Sequence, residues 1–426
     1  MLDNQSYLSS ITLVAIYAIA WAFVFYKHRK QCMGAISSGG FILLTYLLYA
    51  VSSFFLYQVR ADDFGRMHIL QFVYLFALLY IGLKPVLEYD KAKVTQIIAP
   101  PEIVLKLFSI IYVISTLLYL PSAISSIQEG LTTLLLDPSG GADLYNERLN
   151  SGQQGDNGIS NLFSIFYNIF SDCAVLVYFY YLTKPEGKKY LISVLTMSIL
   201  ASILISLATG NRTQVTLVVL SLIASYLLFK DLYNQKIKKI VSVFGFLLAI
   251  LVAFLFLVLT ASRFGDLSDG GFDSMLYYIG QANLYFNKYA FDLGGIRFGD
   301  RTINLFKDFA GFDVPSGIFD TRDKYSNMVA DDSIFTTYIG DFVLDFGPWL
   351  TPLLVIIFTL LILKQTKTKK GIIHFYKLIP IHYVMNVCVK GGMYLFCYPF
   401  LQNLQILAYV FFYVACIVLT NKKKPS

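Results

Sequence analysis

Apolar runs of about twenty residues recur along the chain, separated by short polar connections, and this alternation predicts membrane-spanning helices. Eleven such runs fall at 8–26, 36–57, 68–83, 104–123, 160–183, 190–208, 213–229, 240–262, 346–363, 374–396 and 402–420. The first is too long, and too poor in preceding basic residues, to be a cleaved leader. Two polar stretches break the rhythm. Residues 124–159 are rich in Gly, Ser, Asn and Asp, as in a turn-forming loop. Residues 263–345 are too long for a structureless connection and carry an amphipathic stretch at 273–291, expected to lie on the membrane surface. The chain therefore divides into 1–262 (eight spans with the loop 124–159), 263–345 (a large loop) and 346–426 (three spans). The fold class is an all-α polytopic membrane protein.

Composition agrees with lipid as the main solvent. The 426 residues are 56% hydrophobic and 14% charged, against roughly 25% charged in a soluble domain. Basic residues are unevenly placed. One set of connections holds 20 Lys and Arg against five acids, and the opposite set holds 11 against 21. The lysine-rich side is expected to be cytoplasmic, with the N-terminus outside. The net charge of +7 is then a topological signal and gives no reason to expect nucleic-acid binding. The five cysteines and four histidines show no metal-ligand spacing, so no metal is expected.

Arginine changes the picture further. Eight of the nine arginines fall on the predicted outer side: Arg60, Arg66, Arg148, Arg212, Arg263, Arg297, Arg301 and Arg322. Lysine suffices for topology, whereas a guanidinium offers a planar fork for phosphate or carboxylate and stays charged when dehydrated. The outer face is thus a candidate anion site; the alternative is pairing with the many outer acids. Arg212 lies in the tight turn Thr209–Gln214 and Arg263 in Ser262–Asp266, both at span ends, where snorkelling is the competing reading. Arg297 and Arg301 sit in Gly-Ile-Arg-Phe-Gly-Asp-Arg, whose glycines let backbone amides approach an anion. Arg322 belongs to a dense mixed-charge stretch that ends at Asp331 and Asp332. Asp341 and Asp345, four apart, share one helix face. A partly desolvated carboxylate there suits a general base, and pairing with an arginine or helix capping is the alternative. Tyr278 and Tyr285 lie among acids and amides, as sugar stacking requires, or else form an interfacial belt. Lys390, before Gly391 and Gly392, and Asp172 are charges at membrane depth.

With many spans, a dominant late loop, the turn at Thr209–Gln214 and Gly-Asp-Phe-Val-Leu-Asp-Phe-Gly at 340–347, the chain resembles bacterial O-antigen and capsular oligosaccharide repeat-unit polymerases. It departs from them in its odd span count and outside N-terminus. The resemblance implies a GT-C-like glycosyltransferase of the bacterial inner (plasma) membrane with its active site facing the periplasm. Donor and acceptor would both be undecaprenyl-diphosphate-linked oligosaccharides held at the bilayer, with a chain-length regulator protein as a further partner and no cofactor or nucleic acid. Arg212 and Arg263 would clamp the diphosphate, and Asp341, then Asp332, would serve as the base. Arg297, Arg301, Arg322, Tyr278, Tyr285 and Lys390 would hold substrate. An O-antigen ligase-type enzyme and a flippase or transporter are the competing functions.

Overall fold

The computed structural model describes residues 3–136, 159–208, 212–245, 247, 250, 271–315, 318–330, 337–368, 371–392 and 400–421. Among them the protein is an all-α multi-pass membrane protein, in which eight helices are long and apolar enough to cross a bilayer. Seven of these account for expected spans within α1 (Asn4–Gln31), α2 (Ser38–Phe64), α3 (Ile69–Lys91), α4 (Glu102–Leu136), α5 (Ile159–Thr183), α7 (Arg212–Phe229) and α13 (Phe400–Asn421). The eighth, α11 (Tyr338–Thr366), begins eight residues before the span expected at 346. α6 (Lys189–Ala208) is a shorter apolar helix, and α12 (Phe375–Lys390) covers sixteen residues of the run at 374–396. The run at 240–262 lies mostly outside the described residues, as do residues 137–158 of the first long loop.

The chain forms two compact units. One comprises Met1–Lys93, Phe272–Thr368 and Pro380–Leu404; the other comprises Val94–Gly271, Lys369–Ile379 and Gln405–Ser426. This grouping cuts across the linear order, because the residues that follow Gly271 pack with the first three helices.

In the first unit, Trp21 of α1 is fully buried against Tyr17, Tyr46 and Phe76. At one end of α1–α3, Asp90 accepts hydrogen bonds from the Ser37 hydroxyl (2.7 Å) and the Gly39 amide (2.8 Å), with His28 at 3.1 Å. That buried carboxylate fastens three helix ends. At the other end lies α8 (Gly271–Tyr289), the predicted amphipathic helix, and here the structure corrects the expectation. Among its described side chains three amides turn inward, while Lys288 near its end is exposed. Gln281, Asn283 and Asn287 are buried, with Asn283 bonded to Ser53 (3.0 Å) and Tyr17 (3.2 Å) and Asn287 to the backbone of His68. Gly280 makes the close approach possible, since a Cβ there would stand 2.7 Å from the Ser52 carbonyl oxygen.

In the second unit, α4–α7 pack through Tyr and Phe. Tyr167 donates to the Ser198 carbonyl (3.0 Å), the Phe108 ring lies tilted against Phe412 with centroids 4.6 Å apart, and Asp172 is buried. Two three-residue strands, β1 (Gln96–Ile98) and β2 (Ile372–His374), pair in parallel with Ile97 opposite Ile373. No sequence signal announces that pairing.

Candidate functional site

The site is built on the first turns of α11. Thr337 caps the helix through its hydroxyl, which accepts from the Gly340 amide (3.3 Å). Asp341 and Asp345 then emerge on one face, as their spacing requires. The helix is broken at Gly347 (φ 74°), and Pro348 follows. In a continuous helix the nitrogen of residue 348 would bond the Leu344 carbonyl, but proline has no hydrogen to give. The amide of Arg297 takes that carbonyl instead, at 2.9 Å.

This one bond lays the segment 294–303 along the helix, and the aspartates fasten the rest. Arg301 Nε donates to Asp341 Oδ1 at 2.5 Å. Asp345 accepts from the amides of Arg301 (3.2 Å) and Thr302 (2.6 Å) and from the Thr302 hydroxyl (2.6 Å). The segment follows this path because it turns through left-handed residues: Gly294 (φ 72°), Phe298 (φ 52°) and Gly299 (φ 88°). At Gly299 a Cβ would also collide with Ile303.

A third carboxylate completes the cluster. Asp300 receives Lys307 of α9 (Asn304–Phe309), Lys324 (2.8 Å) and the Tyr325 hydroxyl (2.5 Å). The Tyr325 hydroxyl also lies 3.1 Å from the Arg297 carbonyl, and the Arg297 guanidinium lies 5.2 Å over its ring. Burial opposes ionisation of Asp300, but the bonds from Lys307, Lys324 and Tyr325 outweigh it and hold the carboxyl below its ordinary range. Burial, and then the hydrogen bond to Asp300, push the Tyr325 hydroxyl the other way, so it stays protonated. Arg297 and Arg301 are each 1% exposed, and Asp300, Asp341 and Asp345 are equally buried. Among the described residues, Arg297, Arg301, Lys307 and Lys324 thus gather around Asp300, Asp341 and Asp345 beside the break in the helix.

Of the residues expected to form a site, Arg297, Arg301 and Asp341 are brought together here. Asp341, for which a base was weighed against helix capping or an arginine partner, is paired with Arg301. Lys390 ends α12, where the next residue's carbonyl accepts the Tyr338 amide that opens α11 (2.7 Å). Gly391 and Gly392 there are tightly packed against Tyr338, Tyr46 and Tyr49. Arg322 lies half-buried in α10 (Ile318–Lys324). On α8, Tyr278 is half-buried, and the Tyr285 hydroxyl meets that of Tyr277 at 2.5 Å beside Phe64. The Arg60 guanidinium lies 5.3 Å over Tyr277. Arg60 also lines an open polar cleft of about 570 Å³ with Asn4, Tyr7, Gln58, Asp62 and Asp63. Arg212 opens α7 in the other unit, and its side chain lies outside the described residues, as do Arg263 and Asp332.

Sequence reasoning missed Asp300, Thr302, Lys307, Lys324 and Tyr325 as members of the cluster, and it ranked Asp345 below its neighbour. The available signal was the Asp-Arg-Thr that follows Gly299, a hydrogen-bonding triplet after a left-handed turn. Among the described residues no group of His, Cys, Asp and Glu could hold a metal ion. Comparison with protein families, curated proteins and solved structures gave no match.

Proposed function

We propose that the protein is a membrane glycosyltransferase that joins lipid-diphosphate-linked oligosaccharide repeat units into a surface polysaccharide of the O-antigen or capsular type. On this reading it is a GT-C-like enzyme of the bacterial inner membrane, with about eleven spans and a site open to the periplasm. The observation that supports it best is the pair of arginines, Arg297 and Arg301, buried together beside the first turns of α11. Guanidinium groups fixed before the reaction stabilise negative charge without reorganising, and a departing diphosphate develops such charge.

In the proposed step the acceptor hydroxyl oxygen bonds to the anomeric carbon of the donor as the bond from that carbon to the diphosphate oxygen breaks. The electron pair leaves with the lipid diphosphate, and the hydroxyl proton passes to a carboxylate. Arg301 occupies Asp341 before substrate binds. A diphosphate that draws the guanidinium away frees the carboxylate to take the proton. Substrate binding thereby arms the base, with Asp332 as the second candidate. Arg212 and Arg263 are assigned to the lipid diphosphate, and Arg322 and Lys390 to the anionic approach. Tyr278, Tyr285 and the polar cleft beside Arg60 offer the stacking and hydroxyl-binding groups that a saccharide needs.

The test is Arg297→Ala and Arg301→Ala in cells that depend on this protein for polymer. Long-chain glycan should vanish while single repeat units accumulate on the lipid and the protein remains inserted. Normal chain lengths in both variants would refute the assignment.

A further inference from the structure

The segment that holds the arginine pair has a second face, with a different chemistry. Inward it presents Arg297, Asp300, Arg301 and Thr302, all buried. Outward it presents Phe298 at 69% exposure, Phe309 at 70% and Phe312 at 62%. Phe298 is the most telling of the three. Its φ of +52° is a left-handed backbone that an aromatic residue seldom adopts, and glycine or asparagine would fill the position with less strain. Backbone strain is thus accepted at a position that exposes a large apolar ring.

The exposed rings lie on a segment continuous with an apolar strip of α11. Ile296 packs at Gly347, and Phe291 lies 6.0 Å from Trp349, the second residue after the break in α11. Trp349 is 84% exposed and is followed by exposed Leu350 and Leu353, the lipid-facing strip of a helix long enough to cross the membrane. Aromatic residues collect where hydrocarbon meets headgroups.

We propose that residues 298–312 are a lipid-anchored lobe whose Phe298, Phe309 and Phe312 side chains insert among the acyl chains at the interface of one leaflet. The anchoring stands without the enzymatic reading. If that reading also holds, the lobe fixes Arg297 and Arg301 at the depth of a lipid-borne diphosphate.

The chain has two tryptophans, and the other, Trp21, is fully buried. Trp349→Phe in the full-length protein therefore provides a quiet background for single Phe298→Trp, Phe309→Trp and Phe312→Trp reporters in lipid nanodiscs. Lipids brominated near the headgroup end of the acyl chain should quench each reporter strongly. Lipids brominated near the terminal methyl should quench them less, and aqueous acrylamide least. Strong acrylamide quenching without bromolipid quenching would overturn the proposal, since the rings would then face water. Protection from both quenchers would also overturn it, because a protein partner or a second copy would then cover the face. Phe298→Asn, which suits the left-handed backbone, keeps the test open should a tryptophan there disturb folding. In that variant the Phe309→Trp reporter should move toward the aqueous quencher, and an unchanged response would count against a shared anchor. None of these readings requires catalysis, so failure of the anchor and failure of the enzymatic assignment are distinguishable.

Discussion

Removing Arg301 or Asp341 leaves its partner charged and almost wholly buried, 2.5 Å from where its counter-ion was. Breaking a buried pair in this way costs about 3–5 kcal/mol, most of it the uncompensated charge left behind. A cooperative unit of roughly 200 residues moves by about 2–4 °C per kcal/mol, so Arg301→Ala and Asp341→Ala should each lower its melting temperature by roughly 6–20 °C. The double variant leaves neither charge stranded. It should therefore fall well short of the sum of the single effects, with a coupling of about 0.5–3 kcal/mol in the double-mutant cycle. The assay is thermal unfolding of the purified protein in one detergent at one pH, followed for all four proteins of the cycle. Strictly additive losses would refute the reasoning, because they would mean that the two side chains stabilise the fold independently and that the pair is not what binds segment 294–303 to α11.

Other consequences are open to measurement. Asp300 has a folded-state pKa below its unfolded value of about 3.9, so the stability it contributes is complete above that value and is lost as the pH falls through the folded one. Asp300→Asn should be less stable than wild type at neutral pH and should lose less on acidification, as seen in unfolding scans between neutral pH and about pH 3. Gly280→Ala should destabilise by about 1–3 kcal/mol through its collision with the Ser52 carbonyl; Gly245→Ala, on a helix with open space around it, should be neutral or gain about 0.5–1 kcal/mol. Arg212→Ala and Arg263→Ala should each abolish polymer in cells while leaving the protein inserted, as judged by glycan ladders and membrane fractionation.

The membrane architecture was legible because apolar run length is a local property. Boundaries were less so where two local signals coincide. Gly347-Pro348 reads as the edge of a helix, yet the structure uses it as a kink within one, so α11 starts at Tyr338 and carries both aspartates. The polar stripe of α8 reads as a solvent face for a similar reason. Asn283 and Asn287 look as they would in water, and only partners on α1 and α2 and at the start of α3, more than two hundred residues earlier in the chain, reveal them as buried hydrogen-bonding groups. In the site, the types of Arg297, Arg301 and Asp341 and the shared face of Asp341 and Asp345 could be read directly. What joins them could not. The Leu344 carbonyl left without a donor by Pro348 is a backbone feature with no side-chain signature, and it chooses Arg297 across more than forty residues. The clamp of Lys307, Lys324 and Tyr325 on Asp300 likewise depends on a turn at Gly299 that sequence spacing does not display.

The most direct test of the enzymatic account is to supply purified, lipid-reconstituted protein with a single lipid-diphosphate-linked repeat unit and resolve the products by length. The account predicts a ladder of increasing chain length with release of free lipid diphosphate, and no ladder from Arg301→Ala. Transfer of one glycan to another lipid and no further, or movement of the lipid-linked saccharide across the bilayer without a new bond, would contradict it.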